Sequence, residues 1–568
     1  MTDIYLKRAD EWADKLPEGD PLSLELERIR PDEGELKDRF SAELKFGTAG
    51  LRGKTGVGTN RMNRVTVGRA TRGLGRFICD KGQEAMDRGV VIARDPRHFS
   101  DVFEKIVSSI LSSMGIKCYV FPGIRPTPEL AFLIRHLNAV SGVNVTASHN
   151  PRDYNGYKVY WDDGCQISGA IADCIAEKIG EEDYFPADGS GADSDSIKGR
   201  DDLVITLGSE YDRSYLDTIK KLSVCDPEDM DLTIPLVYTP LNGAGSKFVK
   251  KILSEKGFTD VNIVGEQEEP DPDFTTAPYP NPEFPEAFRL ARELGKKSGA
   301  VLLMATDPDS DRFAAEIPDG NGDYIHLNGN QTGYLLVRHM LESRKKTGTL
   351  PQKGAIVRSI VTSPLTDRIA EGYGVKTFET LTGFKNICGK IPALEKEGYE
   401  YIIGFEESAG YAASPLIRDK DGVSAGLLMA ESAAACAKEG RTLSDALEDI
   451  YRQYGYCSEI GESIVLEGLE GSSRIRRMMA AFREKYPGDF AGFRVLNVTD
   501  YSKGYEDIPP SDVLRFKLEN GSVFFARPSG TEPKIKFYFY SFGSSMEEAA
   551  SVNNSIKEAV LGFAKGTD

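Results

Sequence analysis

The chain has 568 residues, a formal net charge of −18 and a pI near 5.0, with 40% hydrophobic and 28% charged residues. That length exceeds one hydrophobic core and implies about three to five domains, while the acidic excess denies the chain the broad basic field that a nucleic acid or an anionic membrane requires. Eight scattered cysteines with no CxxC pair suggest reduced thiols rather than zinc or a disulfide framework. A charged N-terminus without a signal-like apolar core, and no apolar run of spanning length, point to a cytoplasmic protein.

Residues 1 to about 40 place Tyr5, Leu6, Trp12, Leu16, Leu22, Leu24 and Leu26 at helical spacing among charges, predicting helices packed on the first domain. Phe46 to Gly53, FGTAGLRG, is a glycine-rich loop carrying one cation, Arg52. Three later stretches then repeat one order of elements. Val90 to Ala93, Leu236 to Tyr238 and Ile356 to Val361 are apolar strands. Each is followed by a helical segment, then a glycine (Gly115, Gly257, Gly374), then a second strand. Each reads as a βαβ unit, so three related α/β domains with mixed, mainly parallel sheets are expected. Ala187 to Asp202, rich in Gly, Ser and Asp, reads as a linker or surface loop. Beyond about residue 456, alternating runs (VLRFKL, VFFARP, IKFYFY) and helices at Arg474 to Lys485 and Met546 to Phe563 predict a smaller α+β domain. The expected divisions are 1–205, 206–325, 326–455 and 456–568.

Several loops carry chemistry. Thr146 to Lys158, TASHNPRDYNGYK, follows the apolar Val140 to Val145, and Pro151 together with an expected turn at Asn155 and Gly156 lifts Ser148 off a strand end. A serine needs partners to carry a transferred group. Ala300 to Thr306 is an apolar strand ending in Asp307, Pro308, Asp309, Ser310, Asp311 and Arg312; three carboxylates at alternate positions call for a cation, and hard oxygen donors suit Mg²⁺. Arg312 and Pro318 occupy the positions an EF-hand reserves for glycine and glutamate, which excludes that loop. A haloacid-dehalogenase-like phosphatase, with Asp307 as nucleophile, fits the DxD but leaves Ser148 without a task.

Glu406 and Ser408, in GFEESAGY, are suited to pair with sugar hydroxyls, and Gly383 to Lys385, in TGFK, puts a lysine on another loop after a strand. In RPSGTEP, Arg527, Ser529, Gly530 and Thr531 combine a bidentate cation, two hydroxyls and a free backbone, which is suited to a phosphate.

In this order, FGTAGLRG, TASHNPRDYNGYK, DPDSDR, GFEESAGY and RPSGTEPK resemble the signature loops of the α-D-phosphohexomutase family, most closely its phosphoglucomutase and phosphopentomutase branch. The resemblance implies four domains around one cleft, with Ser148 as phosphoserine and Asp307, Asp309 and Asp311 binding Mg²⁺ together with its phosphate. Arg312 would support that site. It further implies that Glu406, Ser408, Gly383 and Lys385 contact the sugar, and that Arg527, Ser529, Gly530 and Thr531 hold the distal phosphate. Arg52, His149 and Lys158 would complete the catalytic surroundings, with Lys158 as general base if Arg52 and burial lower its pKa, ahead of Lys385 and His149. The implied reaction interconverts glucose 1-phosphate and glucose 6-phosphate through glucose 1,6-bisphosphate, in a monomer or weak dimer acting on small sugar phosphates. Phosphopentomutase, phosphomannomutase, bisphosphate synthase and a non-catalytic sugar-phosphate-binding scaffold are the alternatives. The intact Ser148, aspartates, Lys158 and Arg527 weigh against the scaffold.

Overall fold

Side-chain caps set the first elements. Asp20 accepts from the Leu22 amide at 2.8 Å ahead of the helix Pro21–Ile29, and Asp32 accepts from Gly34 and Glu35 ahead of Glu33–Phe40. With Ile4–Lys15 these helices bury Trp12, Leu26 and Phe40, and Trp12 meets the rings of Phe40, Tyr184 and Phe185. Leu6 and Leu24 stay 36% and 54% exposed, because three short helices have only one face each to cover.

The computed structural model describes residues 4–47, 50–186, 198–466, 468–529 and 534–566. Most of the expected linker, 187–197, lies outside the described residues; Asp201–Leu203 form a short 3₁₀ turn. The chain forms two compact units, Met1–Thr332 with Ser408–Gly440, and Gly333–Glu407 with Arg441–Asp568.

The first unit holds two sheets. In one, the strands run Leu51–Lys54, Tyr154–Trp161, Ser141–Val145, Val90–Arg94, Cys118–Val120 and Val204–Thr206 across the sheet. The last four are mutually parallel and the first two antiparallel to their neighbours. The other runs Tyr324–His326, Phe313–Pro318, Leu302–Thr306, Leu236–Thr239 and Val261–Ile263, its last three strands parallel. The expected strand-helix-strand repeats are present, through Ser100–Ser113 in the first sheet and Ser246–Lys256 in the second. Both central strands, Ser141–Val145 and Leu302–Thr306, are buried along their whole length, as parallel strands covered on both faces must be.

In the second unit Lys376–Thr380, Gly354–Ser359 and Glu400–Glu406 are parallel, with Leu365–Gly372 as the crossover helix. A separate antiparallel sheet, Tyr456–Val465, Lys534–Gly543, Val523–Pro528, Leu514–Leu518, Phe493–Asp500 and Asp489–Phe490, packs its apolar face on Gly468–Glu484 and Met546–Lys565. Phe482, Phe516, Phe524, Phe537 and Phe539 make that core strongly aromatic. Three mainly parallel α/β sheets and one antiparallel α+β sheet are therefore the architecture.

The apolar helix Gly422–Lys438, buried for most of its length, starts at Asp421, whose carboxylate accepts from Val423 and Ser424 and from the buried Tyr215 hydroxyl at 2.8 Å. Burial pushes the Asp421 carboxyl up to about 6 against these donors, so its contribution to stability falls as pH rises from about 4 to about 6. Tyr215→Phe removes a donor to the charged form. We expect it to cost about 1.5–3 kcal/mol above pH 6 and less below, where the carboxyl is neutral. Urea unfolding at pH 5 and pH 8 checks this, and an equal loss at both would contradict it.

Candidate functional site

The strand Ser141–Val145 pairs in parallel with Val90–Arg94, and its carboxyl end delivers Thr146, Ala147 and Ser148 to the sheet edge where binding loops of α/β folds emerge. Ser148 takes φ +53, a left-handed conformation that a non-glycine residue holds only when its surroundings insist on it. Its amide donates to Thr146 Oγ1 at 2.8 Å. Its hydroxyl donates to Asp307 Oδ2 at 2.8 Å and lies 3.2 Å from His149 Nδ1. The expected turn at Asn155 and Gly156 is absent: the strand Tyr154–Trp161 already includes them, and Gly156 pairs with Arg52. A Cβ at Gly156 would overlap the Thr146 carbonyl, so glycine is there for close approach of the two backbones.

The parallel strand Leu302–Thr306 likewise ends in the aspartate loop, which reverses at Ser310 (φ +55). Asp307, Asp309 and Asp311 are all buried, and each offers an oxygen within 4.8 Å of the others. The loop is held from behind: Ala244 donates to the Pro308 carbonyl, and a Cβ on Gly243 would press into the Pro308 backbone. Thr127 binds Asp309 twice, through its amide to the carbonyl and its hydroxyl to Oδ2, both at 2.8 Å; Asn144 in turn donates to Thr127 Oγ1.

Three buried carboxylates repel one another, and the site divides the charge. Burial and the two neighbouring aspartates push Asp307 well above the usual carboxylate range. At Asp309 and Asp311 burial is outweighed by Lys158, joined at Asp311 by Lys420 and Arg312, and both carboxyls fall below that range. Lys158 Nζ lies 2.8 Å from Asp309 Oδ2 and 3.2 Å from Asp311 Oδ2, and Lys420 Nζ lies 3.0 Å from Asp311 Oδ2. Burial lowers the Lys158 pKa, but these carboxylates reverse the shift, so the lowering expected for a general base is not found. Burial, Arg312 and Arg52 hold the His149 imidazole well below its ordinary value, leaving it neutral. Arg52 donates to Asn150 Oδ1 at 3.0 Å; Arg312 pairs with Glu283 and its amide donates to Asp307 Oδ1 at 2.9 Å.

The donor set fits a divalent cation. Asp309 Oδ1 and Asp311 Oδ1 are buried with no hydrogen-bond partner among the described residues, and oxygen is what a hard cation takes. The sequence reading does not include Lys420, although it sits in RDKDG, a charged cluster directly before a largely apolar, buried helix, which is the signal that points to it. Thr127 and Asn144 carry no local signal.

In the second unit, Glu406 ends the strand Glu400–Glu406, is buried, and accepts from the Gly383 amide. Lys385 lies in the first turn of the short helix Phe384–Gly389 rather than on a loop, and burial lowers its pKa. Ser408 precedes the strand Gly410–Ala412 and is grouped with the first unit. Arg527 stands directly across the antiparallel pair from Lys536, and the Ser529 amide donates to Lys534 O at 2.8 Å. Like charges facing across a sheet are unfavourable without an anion. Burial raises the pKa of Glu407, against Thr362, Arg527 and Lys536. Gly530 and Thr531 lie outside the described residues, as do Thr48 and Ala49 of the glycine-rich loop.

The chain matches four consecutive family models, phosphoglucomutase/phosphomannomutase alpha/beta/alpha domains I, II and III at residues 43–185, 213–320 and 328–454, and the C-terminal domain at 477–559. It is 36% identical over 518 residues to a phosphoglucomutase of Staphylococcus epidermidis, covering 89% of this chain and 92% of that one. A phosphoglucomutase of Staphylococcus aureus is also 36% identical over 518 residues, with 89% and 90% covered. Among solved structures, a phosphoglucomutase/phosphomannomutase family protein from Burkholderia thailandensis superposes with TM-score 0.68 at 18% identity over 93% of this chain and 99% of that one. Parafusin from Paramecium, in its open form, gives 0.67 at 19% identity, over 92% and 95%. The chain belongs to the phosphoglucomutase/phosphomannomutase family, the α-D-phosphohexomutases.

Asp309→Asn keeps the Thr127 bond and removes one charge, and should weaken the binding of a divalent cation by about 10-fold or more. Calorimetric titration of both proteins with Mg²⁺ measures it; equal affinities would exclude Asp309 as a ligand.

Proposed function

We propose that this chain is a phosphoglucomutase, converting glucose 1-phosphate to glucose 6-phosphate by way of phosphoserine 148 and glucose 1,6-bisphosphate. The observation that carries the reading is Ser148 Oγ at 2.8 Å from Asp307, at the edge of three buried carboxylates with two unpartnered oxygens. The name shared by relatives 36% identical over most of the chain supports the sugar.

Asp307, Asp309 and Asp311 would hold Mg²⁺ together with the Ser148 phosphate, and the cation would supply charge neutralisation where the phosphoryl group moves. A phosphoserine carries about −1.5 to −2 charges, so cations must gather locally in an acidic protein. Arg52, Arg312, Lys158 and Lys420 provide that charge, the two lysines staying protonated beside the aspartates. In the first transfer the bond from phosphorus to Ser148 Oγ breaks, the bond to the sugar O6 forms, and the 6-hydroxyl proton passes to the serine oxygen. Neutral His149, with Nδ1 3.2 Å from Oγ, holds that proton in transit. In the second transfer the bond from phosphorus to the sugar O1 breaks as the bond to Ser148 Oγ forms, and His149 takes the serine proton and passes it to the departing O1, leaving glucose 6-phosphate and phosphoserine 148.

Glu406, Ser408, Gly383 and Lys385 bind sugar hydroxyls in this reading. Arg527, Ser529, Gly530 and Thr531 bind the idle phosphate, with Lys536 beside Arg527. In this reading each of the domains 1–205, 206–325, 326–455 and 456–568 contributes residues to the site. Among the described residues no helix is long and apolar enough to cross a membrane, and the eight cysteines are scattered along the chain with no CxxC pair. In this reading the enzyme is cytoplasmic and is a monomer or weak dimer acting on free sugar phosphates.

Ser148→Ala should reduce glucose 6-phosphate formation by about 10⁴-fold or more. Intact-mass spectrometry with peptide mapping, before and after glucose 1-phosphate and Mg²⁺, should find an exchangeable phosphate on Ser148 of the parent chain. Product formation by the variant at the parent rate would refute the reading.

A further inference from the structure

Left-handed backbone at Ser148 has to be imposed, and one buried ion pair reaches both sides of that residue. Asp95 follows the strand Val90–Arg94, with its amide on the Val145 carbonyl, and its carboxylate is fully buried. Asp95 Oδ1 accepts from the Arg97 amide and the Ser100 hydroxyl, both at 3.0 Å. Asp95 Oδ2 accepts from Arg97 Nε at 3.0 Å and from Thr146 Oγ1 at 2.6 Å. Thr146 Oγ1 is the atom that receives the Ser148 amide. On the carbonyl side, Arg97 Nη2 donates to Ser148 O at 2.6 Å and Asn150 O at 2.5 Å, and Nη1 donates to Pro151 O at 2.7 Å and Tyr154 O at 3.1 Å.

The Arg97 side chain is wholly buried, with Phe274 stacked against the guanidinium at 5.0 Å. Its Nε, Nη1 and Nη2 are all engaged within the protein, so none of them is aimed at a phosphate. An arginine spent on four carbonyls of one loop is a template for the backbone, and its planar fork does what a lysine's single ammonium cannot. Asn155 extends the frame by donating to Ser100 Oγ at 3.0 Å.

We propose that the buried Asp95–Arg97 pair is the positioning device that holds the Ser148 loop in its reactive conformation, fixing the serine's amide through Thr146 and its carbonyl directly. The pair itself touches neither substrate nor phosphate. The inference concerns the conformation of the loop, while its effect on rate rests on Ser148 being the phosphoryl carrier.

Three variants test it: Arg97→Lys, which keeps the charge beside Asp95 but loses the fork; Arg97→Ala; and Thr146→Val, which keeps the shape and loses both Oγ1 bonds. Hydrogen exchange by mass spectrometry on the substrate-free proteins should show exchange across Ala147–Tyr154 rising about 10-fold, with the strand Leu302–Thr306 unchanged. With glucose 1-phosphate and Mg²⁺, kcat should fall about 100-fold while KM moves less than about 3-fold, the signature of a misplaced reacting group. Guanidinium chloride should restore part of the rate in Arg97→Ala and none in Thr146→Val. Unchanged loop exchange in folded variants overturns the proposal whatever the activity, as does a rate loss that guanidinium leaves untouched in Arg97→Ala. Should Arg97→Ala fail to fold, Arg97→Lys and Thr146→Val carry the same exchange and kcat readouts. A parent chain with no phosphate on Ser148 and no product overturns the function proposed above and leaves the exchange result to decide the loop.

Discussion

The mutual repulsion of Asp307, Asp309 and Asp311 is the constraint on which the first unit is built. Buried carboxylates this close are tolerable only with compensating positive charge, and Lys158 and Lys420 are brought to them from two other stretches of chain. Lys158 comes from the strand beside the serine loop, and Lys420 from the loop before Gly422–Lys438. The acids thus recruit one side chain from the other sheet of the unit and one from the loop before Gly422–Lys438. The negative total charge of the protein has no bearing on this, because the balance is local and buried.

Two parallel strands make the meeting possible. Each ends at its carboxyl edge in a loop with a non-glycine residue in the left-handed region, Ser148 in one and Ser310 in the other. Such conformations cost of order 1–3 kcal/mol each and persist only when the surroundings over-determine them. At Ser148 the surroundings are Asp95, Arg97 and Thr146; behind the aspartate loop they are Ala244 and Gly243. Rigid strands with strained loops at their ends give the reactive groups precise placement.

The second unit follows a different logic. Its parallel sheet carries Glu406 at a strand end, tied to Gly383, while its antiparallel sheet sets Arg527 opposite Lys536 on an aromatic core. The first arrangement ties a buried carboxylate to a backbone amide, and the second sets two cationic residues side by side across a strand pair.

The periodicity of apolar residues determined the three strand-helix-strand repeats and the change of pattern near residue 456, because buried parallel strands must be apolar throughout and crossover helices must be amphipathic. It also exposed Ser148 and the aspartates, since polar residues directly after a buried strand stand out. What needed the tertiary structure was everything set by long-range approach. Asn155 and Gly156 look like a turn by composition, yet pair as a strand because Gly156 must pass the Thr146 carbonyl. Lys385 reads as a loop residue by composition but lies in the first turn of the helix Phe384–Gly389. The direction of the Lys158 shift depends on two aspartates about 150 positions away in sequence. Lys420, Thr127 and Arg97 act through partners that no local window contains. A sequence names the groups that are costly to bury; only the fold decides which opposite charge or hydrogen bond offsets that cost.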